Sequence, residues 1–132
     1  MNGARWAQED VLTKHDNADL EVYAIWFNMY PTDHREQWPA DILTDSRVTN
    51  YWDEGKQVGT FYASRFAEME STLVPGSTDL GTPILWDAYL VYGPDARWDD
   101  APTGLRRWGR TILKTQEGLR QSVDDLLHAS SR

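Results

Sequence analysis

Four consecutive polar residues, Asp33, His34, Arg35 and Glu36, carry the side chains best suited to chemistry in this chain of 132 residues. They follow an apolar run at residues 20–29, which predicts a buried strand. Open α/β sheets bind ligands just beyond the carboxyl ends of their strands, so a metal-dependent or acid–base site is one interpretation. A capped surface turn with solvated charges is the favoured one, because no second histidine or fixed ligand spacing accompanies His34.

A pair of acidic residues, Asp53 and Glu54, lies near the middle of the chain. Two carboxylates can divide acid and base roles where burial separates their pKa values. Neighbours in sequence usually point in different directions, and Gly55 is typical of the position just beyond a helix end. A solvated helix end is therefore the favoured interpretation, and Asp53 is kept as a candidate site residue.

The first histidine, His15, follows a predicted amphipathic helix at residues 4–14. A lone histidine beyond a helix end more often meets the C-terminal carbonyls of that helix than a metal ion. We therefore expect a structural role for His15. We also expect no metal and no other cofactor.

The charge balance limits the class of partner. The chain has 21 acidic and 13 basic residues, which give a net charge of −8. Affinity for nucleic acids comes mainly from neutralised phosphates, so a nucleic-acid surface is disfavoured, and anionic membranes are disfavoured for the same reason. Seven tryptophans and six tyrosines favour packing in a core or a subunit contact over a ligand-stacking cluster.

Cysteine is absent, which excludes disulfide exchange, thiolate nucleophiles and cysteine-ligated metals in this chain. No segment approaches the ~20 apolar residues that span a bilayer. The first residues also lack the basic start and apolar run of a secretory signal. We therefore expect a cytoplasmic protein with one domain over residues 1–132.

The elements that would position these residues alternate between helix and strand. After the helix at 4–14 and the strand at 20–29, the patterns predict a short helix at 45–54 and a helix at 58–73. A loop at 75–83 leads to a strand that ends at residue 92, followed by a turn and a restart of the strand. A long helix is predicted from 102 to 126. This order predicts an α/β fold with a sheet of two to three strands flanked by helices.

Two features of the predicted long C-terminal helix need an explanation. Gly109 and Gly118 each cost up to ~1 kcal/mol relative to alanine inside a helix, so close packing or a bend is expected there. A cluster of basic residues lies within the same segment. Salt bridges between these residues and acidic residues on the surface are favoured over a site that binds an anion. The members of the cluster are Arg106, Arg107, Arg110 and Lys114.

The order of elements resembles the thioredoxin fold, and residues 86–98 resemble the hairpin of thioredoxin-like proteins, in which a strand ends at a polar turn and restarts. Short segments also resemble a subset of uncharacterised thioredoxin-like proteins. These segments are Val22-Tyr-Ala-Ile-Trp26, Asp45-Ser-Arg-Val48, Tyr51-Trp-Asp53 and Trp86-Asp87. The resemblance implies a truncated thioredoxin-like sheet.

The chain departs from this family in two ways. The family has a Cys-x-x-Cys pair after a central first strand, and here both the strand and the cysteines are missing, so thiol chemistry is not implied. The family also has a cis-proline where this chain has Asp87, and the nearest proline is Pro83. Trp86 and Asp87 thus occupy the place where the family binds substrate, and we add them to the candidate binding residues.

The missing strand leads to an expected partner. In the family, the missing strand separates the strands equivalent to residues 20–29 and 86–92. Without it, these two strands must pair directly with each other or with another molecule. Unpaired strand edges favour association. We expect a homodimer and a non-redox structural or binding protein that contacts other proteins. Two alternatives stay open: a metal-dependent or acid–base enzyme of the hydrolase type, and a fragment of a thiol–disulfide oxidoreductase whose cysteines lie upstream of Met1.

Overall fold

The computed structural model describes residues 2–16, 18–27, 41–73, 85, 87–100 and 102–130. The chain forms a mixed α/β structure, as predicted. Helix α1 (Asn2–Trp6) continues as a π-helical segment (Ala7–Leu12), followed by β1 (Val22–Trp26), β2 (Val48–Trp52), α2 (Gln57–Leu73), β3 (Ala88–Tyr92), β4 (Leu105–Arg110), a 3₁₀ turn (Ile112–Lys114) and α3 (Gln116–Ser130). No helix in these ranges is long and apolar enough to cross a bilayer.

The described strands pair two by two in two small sheets. β1 and β2 are parallel, with Val22 opposite Val48. β3 and β4 are antiparallel, with Ala88 opposite Arg110. Direct pairing of the strands at 20–29 and 86–92, one of the two expected outcomes, is not found among the described strands, because each has a different partner. The helix predicted at 58–73 is confirmed as α2.

The segment before residue 53 is a strand, so the short helix predicted at residues 45–54 is wrong. Val48 and Trp52 are compatible with either structure, because residues four apart share a face of a helix and of a strand. Tyr51 distinguishes the two, since it is exposed on the opposite face. The β-branched and aromatic residues of this segment favour a strand, and β1 supplies its hydrogen-bonding partner.

Residues 102–126 do not form one long helix, so that prediction holds only for the second half. β4 occupies the first half, and α3 begins at Gln116. Leu105 and Trp108 are both buried in one cluster, and their spacing of three imitates a helical stripe. A register shift in the hairpin lets both side chains reach the same core from a strand.

Two glycines make room for the ring of Tyr89. A Cβ atom at Gly109 would lie 2.5 Å from Cε1 of Tyr89, and one at Gly118 would lie 2.8 Å from its hydroxyl oxygen. Gly109 faces Tyr89 across the β3–β4 hairpin. Close packing, one of the two expected explanations, is therefore confirmed for Gly118 in α3, whereas Gly109 is closely packed in strand β4 and not in the predicted helix. Burial raises the pKa of the Tyr89 phenol.

The N-terminal helix, defined as α1 with its π-helical continuation, packs against both sheets. Its Leu12 lies in a cluster with Ile42 and Leu43, against which Val22 and Val48 of the parallel sheet pack. The neighbouring residue Val11 lies in a second cluster with three buried residues of β3 and α3, which are Tyr89, Leu119 and Val123. Adjacent residues can serve two cores because successive positions on a helix point in different directions.

Arg47, just before β2, ties this sheet to the end of the N-terminal helix. Its guanidinium donates to both carboxylate oxygens of Asp45 at 2.9 and 2.8 Å. The remaining donors reach the carbonyl oxygens of His15 at 2.7 Å, Ala18 at 2.9 Å and Leu12 at 2.9 Å. All five guanidinium N–H groups are therefore satisfied. Hydrogen bonds from Arg47 lower the pKa of the Asp45 carboxyl to about 2.

Gln8 makes a second connection between the same two elements. Its side-chain oxygen accepts hydrogen bonds from the backbone N–H groups of Thr44 at 3.1 Å and Asp45 at 3.2 Å. Gln8 lies in the π-helical segment, where its carbonyl accepts a 2.9 Å hydrogen bond from the Thr13 N–H five residues later. The helix predicted at residues 4–14 is thus present, and its wide turn carries a side chain that anchors the chain before β2.

Helix α2 packs against the other face of the hairpin. Tyr62 of α2 contacts the cluster of Leu85, Leu105 and Trp108. Its hydroxyl oxygen lies 2.8 Å from that of Tyr92 at the end of β3. Burial, together with this hydrogen bond, raises the pKa of the Tyr92 phenol. The hairpin therefore lies between α2 on one face and α3 with the N-terminal helix on the other.

Candidate functional site

Five of the seven candidate residues from the sequence lie outside the described residues. These are Asp33, His34, Arg35, Glu36 and Trp86. Asp53 and Asp87 are described, and no hydrogen bond or ion pair joins them. Within the described ranges, no group of three or more histidine, aspartate or glutamate residues is placed to hold a metal ion.

Asp53 is the N-terminal cap of α2. Its two carboxylate oxygens accept hydrogen bonds from the backbone N–H groups of Gln57 at 3.0 Å and Val58 at 2.8 Å. A carboxylate at this position satisfies helix N–H groups and meets the positive end of the helix dipole. The expectation of a solvated helix end is corrected: Asp53 directly follows β2, and its side-chain oxygens accept hydrogen bonds from the first residues of the following helix.

Asp87 is an exposed residue directly before β3. Its backbone φ is 50°, in the left-handed region, which aspartate tolerates better than most residues other than glycine. The Asp87 side chain therefore stands at a sharp turn into the strand. This geometry explains an aspartate at this position by backbone conformation alone.

His15 makes a side-chain contact with α3 that the sequence does not reveal. Its Nε2 lies 3.0 Å from Oδ1 of Asp124, so the expectation that the side chain meets helix carbonyls is wrong. His15, Asp124, Leu127 and His128 line a cavity of about 160 Å³. Nδ1 of His128 lies 2.7 Å from the Asp124 carbonyl oxygen. These described lining residues include no hydroxyl or thiol nucleophile, so we assign the pair to docking α3 on the N-terminal helix.

The basic residues of the predicted helix lie on β4 and the following turn. Arg106 forms an exposed ion pair with Asp95 at 2.9 Å. For Arg106, the salt-bridge interpretation is therefore confirmed. Arg107 lies beside the Tyr89 phenol. Burial raises the pKa of this phenol, and the positive charge of Arg107 offsets part of that rise.

The outer face of the parallel sheet exposes a pair of aromatic rings. We call Tyr23, Ile25, Thr49 and Tyr51 the sheet face. Tyr23 is 60% exposed and Tyr51 is 49% exposed. Their ring centroids lie 6.4 Å apart at an interplanar angle of 25°, so the rings stack across the two strands.

The sheet face follows from the alternation of side chains along both strands. Val22 and Val48 point inward to the core cluster, and the residues after them point outward. The Tyr23 hydroxyl donates to a carboxylate oxygen of Glu21 at 3.1 Å. That hydrogen bond raises the pKa of the Tyr23 phenol, which keeps the phenol neutral. The same hydrogen bond holds the exposed carboxylate of Glu21 beside the sheet face.

The backbone of β1 offers an edge beside this face. The N–H of Val22 and the carbonyl of Trp26 both bond to the segment around β2, at 3.1 and 2.7 Å. Residues in a strand alternate the side to which their backbone groups point, so those of Tyr23 and Ile25 point away from β2. Among the described strands, β1 pairs with β2 alone.

A second exposed aromatic surface lies at the tip of the hairpin. Trp98 is 64% exposed. The centroid of its ring lies 5.2 Å from the ring centroid of Phe61 on α2, at an interplanar angle of 35°. The guanidinium carbon of Arg65 lies 5.4 Å from the Phe61 ring centroid. We call Phe61, Trp98 and Arg65 the aromatic platform. The tryptophan-rich composition signals such a surface, but its pairing with α2 depends on the fold.

The chain matches no family model, no curated protein and no solved structure.

Proposed function

We propose that this chain is a non-catalytic binding protein that acts as a homodimer and uses the sheet face as the contact between its two copies. The observation that carries the proposal is the stacked, exposed pair of Tyr23 and Tyr51. Aromatic side chains bring a large apolar area to an interface at a small cost in conformational entropy.

The type of sheet supports this proposal. Parallel sheets are normally covered on both faces, and a sheet of two strands is marginal by itself. In the β1–β2 sheet one face packs on Leu12, Ile42 and Leu43, and the other presents Tyr23 and Tyr51. A second copy of the same face would supply a layer over the side that the described residues leave exposed.

The charge distribution supports a second copy as the occupant. Two chains of net charge −8 repel each other, and this repulsion is smallest where neither surface carries charge. The sheet face consists of two tyrosines, an isoleucine and a threonine, and Glu21 is the charged residue hydrogen-bonded to it in the described structure. A two-fold axis through this face would place the same aromatic patch on both sides of the contact.

In this proposal the chain is a non-redox relative of the thioredoxin-like proteins that its sequence resembles. The mixed α/β architecture supports the relationship, as does the hairpin in which β3 ends at Tyr92 before the polar turn. Cysteine is absent, so binding replaces thiol chemistry as the role of the scaffold.

Sedimentation equilibrium of the purified chain tests the proposal. We expect a dimer at micromolar concentrations and expect the double variant Tyr23→Glu, Tyr51→Glu to weaken association by at least about tenfold, because four carboxylates would meet across the axis. Trp98→Ala, on the other exposed aromatic surface, is the matched control and should leave the dimer unchanged. A folded wild-type monomer at micromolar concentration, or a double variant that dimerises as tightly as the wild type, contradicts the proposal.

A further inference from the structure

We propose that the aromatic platform, together with Asp99 and Asp100, binds an arginine- or lysine-containing peptide segment of a partner protein. This surface lies on α2 and the hairpin tip and is separate from the sheet face on β1 and β2. The proposal therefore does not depend on the dimer.

Trp98 is exposed but held in place. One side of its ring contacts Phe61, and 64% of the residue remains accessible. Trp98 forms an isolated antiparallel bridge with Pro102. The Thr103 N–H donates to the Arg97 carbonyl at 2.8 Å, and the Arg97 N–H donates to the Thr103 hydroxyl at 3.1 Å. A side chain fixed before binding loses little conformational entropy when a partner docks.

The chemistry around the ring selects a cation. An indole face attracts ammonium and guanidinium groups more strongly than any other aromatic side chain. Asp99 and Asp100 follow Trp98 directly and are both exposed, and neither forms an ion pair in the described structure. Asp95, in the same loop, is already paired with Arg106. A cationic side chain over Trp98 would thus meet the ring on a loop that carries two exposed carboxylates.

The molecule already uses this type of contact on the same surface. The guanidinium of Arg65 lies over Phe61, the ring against which Trp98 packs. The net charge of −8 also draws cationic segments toward the surface and raises their association rate. Phosphate-bearing partners are disfavoured, because two adjacent carboxylates repel them.

Fluorescence anisotropy with labelled hexapeptides tests the assignment. One peptide contains two arginines and a leucine, a second replaces arginine with neutral citrulline, and a third replaces it with glutamate. We expect the arginine peptide to bind most tightly, and we expect its affinity to fall when salt is added. Trp98→Ala should weaken its binding by about tenfold, whereas Trp98→Phe should retain part of the affinity.

Matched variants separate the site from the overall charge. The double variant Asp99→Asn, Asp100→Asn should weaken binding of the arginine peptide. The double variant Glu9→Gln, Asp125→Asn, which removes the same number of charges at exposed positions on the N-terminal helix and α3, should have little effect. The dimer-contact variant Tyr23→Glu, Tyr51→Glu should bind the peptide as the wild type does. Equal binding of the arginine and citrulline peptides would show a purely apolar surface and overturn the proposal. Unchanged binding by Trp98→Ala, with an unaltered circular dichroism spectrum, would overturn it as well.

Discussion

The two small sheets of this protein differ in how completely they are covered. The β3–β4 hairpin has α2 on one face and α3 with the N-terminal helix on the other. The parallel β1–β2 sheet has the N-terminal helix on one face and presents Tyr23 and Tyr51 on the other. The hairpin is therefore the interior of the described fold, and the parallel sheet is a surface built from residues typical of an interior.

The sheets also differ in what holds them to their neighbours. The hairpin is held by apolar packing, with Tyr89 fitted between Gly109 and Gly118. The parallel sheet shares an apolar cluster with the N-terminal helix, but it is also fixed by the ionic hydrogen bonds of Arg47 and Asp45. Packing responds to changes in side-chain volume, whereas a charge network responds to changes in donor geometry and pH.

The largest contrast should appear when one tyrosine is removed from each sheet. Tyr89→Ala should lower the free energy of unfolding by about 3–5 kcal/mol, because a ring that is only 9% exposed leaves a cavity. Tyr51→Ala should cost less than about 0.5 kcal/mol within the monomer, because its ring is half exposed. Urea denaturation of both variants, at a concentration where each is monomeric, measures the difference. Similar losses in the two variants would show that the sheet face is covered within the monomer.

Arg47→Lys should have a smaller but still large effect. Lysine offers three donors at one nitrogen, whereas arginine uses five donors on a planar group to reach Asp45 and three carbonyl oxygens. We expect a loss of about 3 kcal/mol in unfolding free energy, because the carboxylate and carbonyls lose partners in a poorly exposed site. Arg106→Lys is the matched control, since its ion pair is exposed and should contribute less than about 1 kcal/mol. Equal losses would mean that the Arg47 network adds no more than a surface pair.

Much of the fold could be predicted from local patterns. The apolar spacing of α2 and of α3 is helical over several turns, and β1 is rich in β-branched and aromatic residues. The patterns failed where helix and strand periods coincide, as for Val48 and Trp52 in β2. They failed again in β4, where a register shift allows Leu105 and Trp108 to face the same core.

The candidate sites were less predictable because they depend on pairs distant in sequence. Asp53 was identified as a possible acid–base residue from its type, but its role as a helix cap depends on where α2 begins. The contact of His15 with Asp124 and the contact of Trp98 with Phe61 each join two elements far apart in the chain. No local pattern encodes such a pair, although the abundance of aromatic residues indicated that some would lie on the surface.

The smallest of these effects should appear on acidification and should come from the parallel sheet. The pKa of Asp45 is about 2 in the folded chain and near 4 in an unfolded one, so the folded state holds the charged form more strongly. This contribution, up to about 2 kcal/mol, is complete above pH ~4 and is lost as the pH falls from ~4 through ~2. Other carboxylates titrate in the same range, so the informative quantity is the difference in unfolding free energy between the wild type and Asp45→Asn. That difference should shrink from pH 6 to pH 2, and a difference that stays constant would show that Arg47 does not stabilise the ionised form of Asp45.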